Sequence, residues 1–307
     1  MGKAMSTVLY CSKINLISEQ LFDVYNNDYS VLLGALDILY TDISSNAFYE
    51  KKEYYFDEKD VKHESIVKYR LSISEKKDNI ILGYLCKDSV IYYKKFEEET
   101  RQLMTRYVPN TEAVRFYFDV YKETILYHAS HRLGYQEFNM AMTEIINQLM
   151  EENQREMKFD VALRTEGLNI KEIEAELRKI KNIEQLSFSF QPPNPDTEML
   201  ANYKKNGERF IGQLENANVT RASTVFQTKG NRGLNLDSEL IKQNLEQIKG
   251  IDSVVGDSVA TSKGYVKVEA VDKKGKTYTT SMIRPIKYII SRMEDFYDEC
   301  KRIIINL

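Results

Sequence analysis

Between Tyr54 and Tyr93 apolar and polar residues alternate through the runs "ESIVKYRLSIS", "NIILGYLCK" and "SVIYYKKF", separated only by the short polar stretches "EKKDN" and "KDS". A period of two puts alternate side chains on opposite faces of a strand. Connections this short join only strands that run in opposite directions. The stretch therefore predicts an antiparallel meander, and the rest of the chain has to pack around it. With 21 Tyr, 13 Phe and no Trp, the composition suits aromatic-rich strands better than a long helical bundle.

The flanking sequence mixes both periodicities. "MSTVLYCSKINL" reads as a strand, and the helical pattern after it breaks into two pieces at Asn26–Asn27–Asp28. "FEEETRQLMTRY" is spaced as a helix that stops at Pro109–Asn110, and "AVRFYFDVYKETILYHAS" reads as a hairpin turning at "DVYKE". Two amphipathic helices, "GYQEFNMAMTEIINQLMEENQREM" and "NIKEIEAELRKIKN", then alternate with the strands "KFDVALRTEG" and "IEQLSFSFQPPNPD", the second stopped by Pro192, Pro193 and Pro195. The same grammar repeats downstream. A helix over "DTEMLANYKKNGERFIGQLENAN", the strand "TRASTVFQT" and the helix "LDSELIKQNLEQIKG" lead to strands "GYVKVEAVD" and "KTYTTSMIR" around the turn "KKGK". A helix over "IKYIISRMEDFYDECKRI" follows. The pattern predicts an α+β fold of tandem ferredoxin-like (split βαβ) units, with antiparallel sheets and helices on one face. It divides into an N-terminal α+β domain over 1–110, a ferredoxin-like unit over 111–195 and a second, basic α+β unit over 196–307.

Several functional classes fall away on composition. With 42% hydrophobic and 29% charged residues the chain is built like an ordinary globular protein. No apolar run approaches the roughly 20 residues that a membrane-spanning helix needs, so no membrane partner is expected. The start matches the M-G-x-x-x-[ST] myristoylation pattern at Gly2, a short pattern that an initiator Met explains as well. Cys11, Cys86 and Cys300 form neither a CxxC pair nor a disulfide framework, which places the protein in a reducing cytoplasm.

Two of the three histidines, His128 and His131, stand beside Arg132 in "LYHASHRLGYQEF". Histidine is the side chain most often used for proton transfer near neutral pH, and a nuclease built on these residues is one reading. Around them, however, the sequence supplies only Glu137 as a carboxylate, and alternation in "TILYHAS" makes His128 the end of a strand, with Ser130 opening a capped turn. The strand-end reading is preferred. "GERFIGQL" has P-loop glycine spacing but Gln213 where Lys is required. The E-x-K triplets at Glu50–Lys52 and Glu75–Lys77 fit a Mg²⁺-dependent nuclease only loosely and occur by chance in a chain this rich in Glu and Lys. No motif calls for a metal or a cofactor.

Charge is more informative. The whole chain carries −3, yet residues 201–287 hold 15 Lys/Arg against 9 Asp/Glu. "NYKKNGERF" and "TRASTVFQTKGNRGLN" gather Lys204, Lys205, Arg209, Arg221, Lys229 and Arg232, the pattern of a surface that contacts phosphates. "KGYVKVEA" partly matches the RNA-recognition signature at Gly264 and Tyr265, but lacks its small residue and second aromatic, so Tyr265 reads first as a packed hairpin residue.

"VRFYFDVYKETILYHAS", "IEQLSFSFQPPNPD", "SKGYVKVEAVDKKGK" and "TTSM" together resemble a little-characterised prokaryotic family, a domain of unknown function often encoded near mobile elements and phage-defence genes. The likeness spans residues 114–284, and its motifs punctuate structure rather than supply an active site. It implies a place in bacterial antiviral defence. Joined to the charge pattern, it gives the expected function: a non-catalytic component that binds or senses RNA or DNA. The alternatives are the nuclease and a scaffold that forms a homo-oligomer or binds an effector protein.

Overall fold

The computed structural model describes residues 6–26, 29–56, 61–99, 101–194 and 210–307. Its organising strand is β1 (Thr7–Leu16), seven of whose ten residues are buried. A buried strand must pair every backbone polar group, and β1 does so with three partners. On one edge lies β6 (Thr124–His128). The other edge is shared end to end by β12 (Lys287–Ile290) and β7 (Phe159–Leu163), all antiparallel. From β6 the sheet continues through β5 (Gln102–Asp119), β4 (Ile80–Glu97), β3 (Lys62–Lys77) and β2 (Phe48–Phe56), giving the order β12-β1-β6-β5-β4-β3-β2.

Alternation decides what each face meets. Ile14, Phe116, Phe118, Ile125 and Tyr127 point to one side, where α1 (Gln20–Tyr25), α2 (Tyr29–Asp42) and α3 (Tyr135–Glu152) cover them in the largest core. Leu9, Cys11, Tyr117 and Leu126 point to the other, under Phe296, Cys300 and Ile304 of α8 (Phe296–Ile305). Helices thus flank both faces of this sheet, not one. All three cysteines are buried and free. Beneath α3, Ser12 donates to Asn139 Oδ1 at 2.8 Å and Tyr127 donates to the same oxygen at 3.2 Å, while the Tyr127 ring stacks on Phe138 at 3.7 Å.

The predicted meander is present, with longer strands than expected. Asp78 and Asn79 both take positive φ in the two-residue β3–β4 turn, the geometry that matches strand twist in a tight hairpin. "KDS" is not a turn: β4 runs through it, and the Asp88 carboxylate accepts from Arg70 and Thr111. The helix expected over 96–107 is instead the tip of the β4–β5 hairpin, each strand 18 residues or about 60 Å long. Cross-strand pairing of Phe96 with Leu103 and Tyr92 with Tyr107 outweighs the local helical spacing. Pro109 lies inside β5. The Arg115 N–H points away from β4 to His128 Nδ1, and by parity position 109 faces the same open edge, so the missing proline N–H breaks no ladder bond. The boundary expected at residue 110 falls within this strand.

The second sheet has the order β11-β10-β8-β9, from β8 (Ile183–Phe190), β9 (Ala222–Gln227), β10 (Val266–Asp272) and β11 (Thr277–Thr279). Leu186, Phe188, Val266, Val268 and Ala270 face a second core closed by α4 (Ile170–Lys179), α6 (Glu239–Val255) and α7 (Val259–Ser262). Asn169 and Glu172 form a reciprocal capping box at the start of α4. The antiparallel α+β class matches the expectation from sequence, but the tandem split-βαβ pairing is not what the strands form. β7 joins β1, whereas β8, expected to complete the same unit, sits between β10 and β9. Of the helix expected over 196–218, the described part is α5 (Phe210–Asn216).

The sheets meet where Asn15 Nδ2 donates to Lys263 O at 3.0 Å and Gly264, at φ +80°, faces Ala162 of β7. A Cβ on Gly264 would lie 2.5 Å from Ala162 Cβ, so both backbone conformation and space require glycine. Gly264→Ala is expected to cost about 2 kcal/mol or more, read as a lower midpoint in chemical denaturation. An unchanged midpoint would mean that the joint yields.

Candidate functional site

The histidine cluster is brought to one end of β6 but not assembled into a catalytic group. His128 is half-buried, and its Nδ1 accepts the Arg115 backbone N–H at 3.1 Å. Burial pushes the imidazole pKa below its ordinary value, and the nearby Arg115 guanidinium lowers it further. His131 and Arg132 are exposed in a turn whose N–H groups at Arg132 and Leu133 are taken by Ser130 Oγ, as a capped turn predicts. Among the described residues neither imidazole bonds a carboxylate or a nucleophilic hydroxyl. Of the E-x-K residues, Glu50 and Lys52 serve the β2–β3 ladder, Glu50 pairing with Lys68 at 3.5 Å and Lys52 with Glu64 at 2.9 Å, while Glu75 and Lys77 sit at the β3–β4 hairpin opposite Leu82 and Ile80. No group of His, Cys, Asp and Glu among the described residues is placed to hold a metal.

The basic residues read from the sequence separate into groups. Lys204, Lys205 and Arg209 lie outside the described residues. Arg221 stands just before β9, beside the β7 end of the molecule, where Nη2 reaches Gln191 Oε1 at 2.9 Å and Asp160 Oδ2 at 3.4 Å. Lys229 and Arg232 follow β9 and therefore sit at the opposite end of the sheet, roughly 25 Å away at strand spacing. Their loop folds back along β8: Thr228 N–H donates to Glu184 O and Leu234 N–H to Ile183 O, each at 2.9 Å. Gly233, at φ +74°, allows this, since a Cβ there would come 2.7 Å from Asn182 Cα. "TKGNRGLN" is thus a loop fixed along β8.

The same end of the sheet as Lys229 and Arg232 carries further cations from segments distant in sequence. Lys179 and Lys181 enter from the α4–β8 corner, and Lys273, Lys274 and Lys276 from the β10–β11 turn, around a cavity of about 800 Å³. Lys273 Nζ donates to Asn231 Oδ1 at 3.0 Å and ties the turn to the loop. Asp272, which lines the cavity with Glu176, accepts the backbone N–H groups of Lys274 and Lys276 on Oδ1 at 2.8 Å and so shapes the turn. Lys179 is held by Glu176 at 2.6 Å. Lys181, Lys229, Arg232, Lys274 and Lys276 have no ion-pair partner among the described residues. Their convergence depends on strand order, which no short motif announces. The "KKGK" turn was the available signal, since β10 and β8 must be neighbours for it to matter.

The face of this sheet away from its helices is mostly polar: Lys267, Glu269, Ser187, Ser189, Ser223 and Gln227 alternate with the core residues, with Val225 exposed among them. It carries no aromatic ring, and Tyr265 is only 1% exposed within the second core. A base-stacking platform of the RNA-recognition type is therefore not formed.

Because accepting the Arg115 N–H requires an unprotonated Nδ1 and burial opposes charge, His128 is expected to titrate below 6.5 by NMR. With the folded value depressed, its contribution is present above the unfolded value and is lost as pH falls from there through the folded value. A midpoint above 6.5 would overturn this account.

Comparison with known proteins gives a family and no function. No curated protein and no solved structure matches the chain. A family model described as a domain of unknown function, DUF4747, matches residues 35–303, reaching well upstream of the 114–284 stretch that carries the sequence likeness. The chain, from α2 through the first part of α8, belongs to the DUF4747 family.

Proposed function

We propose that the protein binds nucleic acid through its phosphates at the basic end of the four-stranded sheet, as a non-catalytic binding or sensing component of bacterial antiphage defence. One observation supports the binding: cations from three separated segments gather at one sheet end, most of them without acidic partners. Unpaired lysines around a wide opening release counterions when phosphates replace water, the main source of affinity in such contacts. A mostly polar sheet face without aromatic rings favours backbone contact over base stacking. The defence setting rests on the family likeness alone, and phosphate binding stands without it.

The test is fluorescence anisotropy with labelled single- and double-stranded RNA and DNA over a salt series. Lys273→Glu, Lys274→Glu and Lys276→Glu together are expected to weaken binding about tenfold or more and to flatten the log–log salt slope by roughly two to three units. Absence of binding by the unaltered protein at low salt would end the proposal.

A second reading, homo-oligomerisation, has its own support. On the outer half of the β4–β5 hairpin, Tyr92, Phe96, Leu103, Tyr107 and Pro109 share one face, with Phe96 56% and Tyr107 70% exposed. Lys94 and Thr105 lie between them on the same face, and exposed apolar side chains gathered in this way mark contact sites. Light scattering should then give a mass above the 35.9 kDa of one chain, and Phe96→Ser with Tyr107→Ser should return it to that value. A monomer at all concentrations would discard this reading.

A further inference from the structure

The other end of the four-stranded sheet holds a second cavity, of about 370 Å³, between the polar sheet face and the β7–α3 wall. Lys267, Ser189 and Ser223 form one cross-strand row on its floor, the two serine hydroxyls 3.0 Å apart. Arg221 stands at the rim with only Nη2 engaged among the described residues; Nε and Nη1 remain as donors. Lys267 is balanced by Glu269 at 2.9 Å on the same face.

The most telling group is Gln191. It lines the cavity, is 2% exposed, and spends its Oε1 on Arg221, while among the described residues its buried Nε2 has no hydrogen-bond partner. A buried amide donor left unpaired is costly and calls for an explanation. Here the donors of Arg221, Lys267, Ser189 and Ser223 border one space, the complement of an oxyanion with several oxygens. Asp160 is the one carboxylate lining it, and it faces the same space as an acceptor for hydroxyl groups. Tyr135, Val161, Leu163 and Met282 give the lining an apolar part, beside the polar Gln136 and Asn139. The volume exceeds what a bare oxyanion fills and falls in the range of small-molecule sites.

We infer that this cavity is a binding site for a ribonucleoside monophosphate, with phosphate at Arg221 and the Lys267–Ser189–Ser223 row, ribose hydroxyls toward Asp160, and the base on the apolar part of the lining. The site is separate from the basic sheet end by about the length of β8, so neither reading depends on the other.

Isothermal titration calorimetry of the full chain with AMP, GMP, CMP and UMP individually tests it, with inorganic phosphate and ribose 5-phosphate as controls. At least one nucleotide should bind one-to-one, and both controls at least tenfold more weakly. Arg221→Gln should weaken that binding tenfold or more. Because losing the Asp160 pair can disturb folding, the paired Ser189→Ala and Ser223→Ala variant provides a second measure, expected at a fivefold loss or more with an unchanged melting curve. No saturable binding of any nucleotide at millimolar concentration would overturn the inference. So would ribose 5-phosphate binding as tightly as the nucleotides, or full affinity in both variants.

Discussion

Everything in the first sheet depends on how β1 satisfies its backbone. A strand this buried has no water to turn to, so each N–H and C=O has to find a partner strand. Those partners come from residues 124–128, 159–163 and 287–290. The strand near one end of the chain is therefore closed by segments more than a hundred residues away, and one of its edges needs two different strands laid end to end. Such long-range pairing bears the loop-closure cost before it gains the packing, so a slow, cooperative assembly follows from topology alone.

That dependence also explains what could be read from the sequence. The hairpins around "EKKDN" and "DVYKE" were legible because turn chemistry and alternation are local, and the capped α4 helix likewise. Residues 96–107 have spacing that suits a helix, and only the cross-strand partners of Phe96, Leu103 and Tyr107 decide otherwise. The sheet to which β8 belongs was not legible at all. Its apolar positions would pack in either sheet, and the choice is made by β10, some eighty residues later.

The candidate sites divide in the same way. His128 looked like chemistry because of its residue type, yet its environment makes it a neutral acceptor at a strand end. Lys229 and Arg232 were found by composition, but the lysines beside them belong to a corner and a turn that strand order alone brings alongside. Arg221, grouped with them by proximity in sequence, faces another cavity because an extended strand carries its two ends far apart. Gln191 carried no signal, since an unpaired amide exists only once the fold has buried it.

The lateness of β12 and α8 has a consequence for biosynthesis. While residues 287–305 are still unmade, one flank of Thr7–Tyr10 lacks its partner strand and the apolar side chains of Leu9, Cys11 and Leu126 lack their lid. A nascent chain at that stage displays a sticky ledge, and its safe passage rests on shielding by the translation machinery or by holdase chaperones until the closing segment emerges.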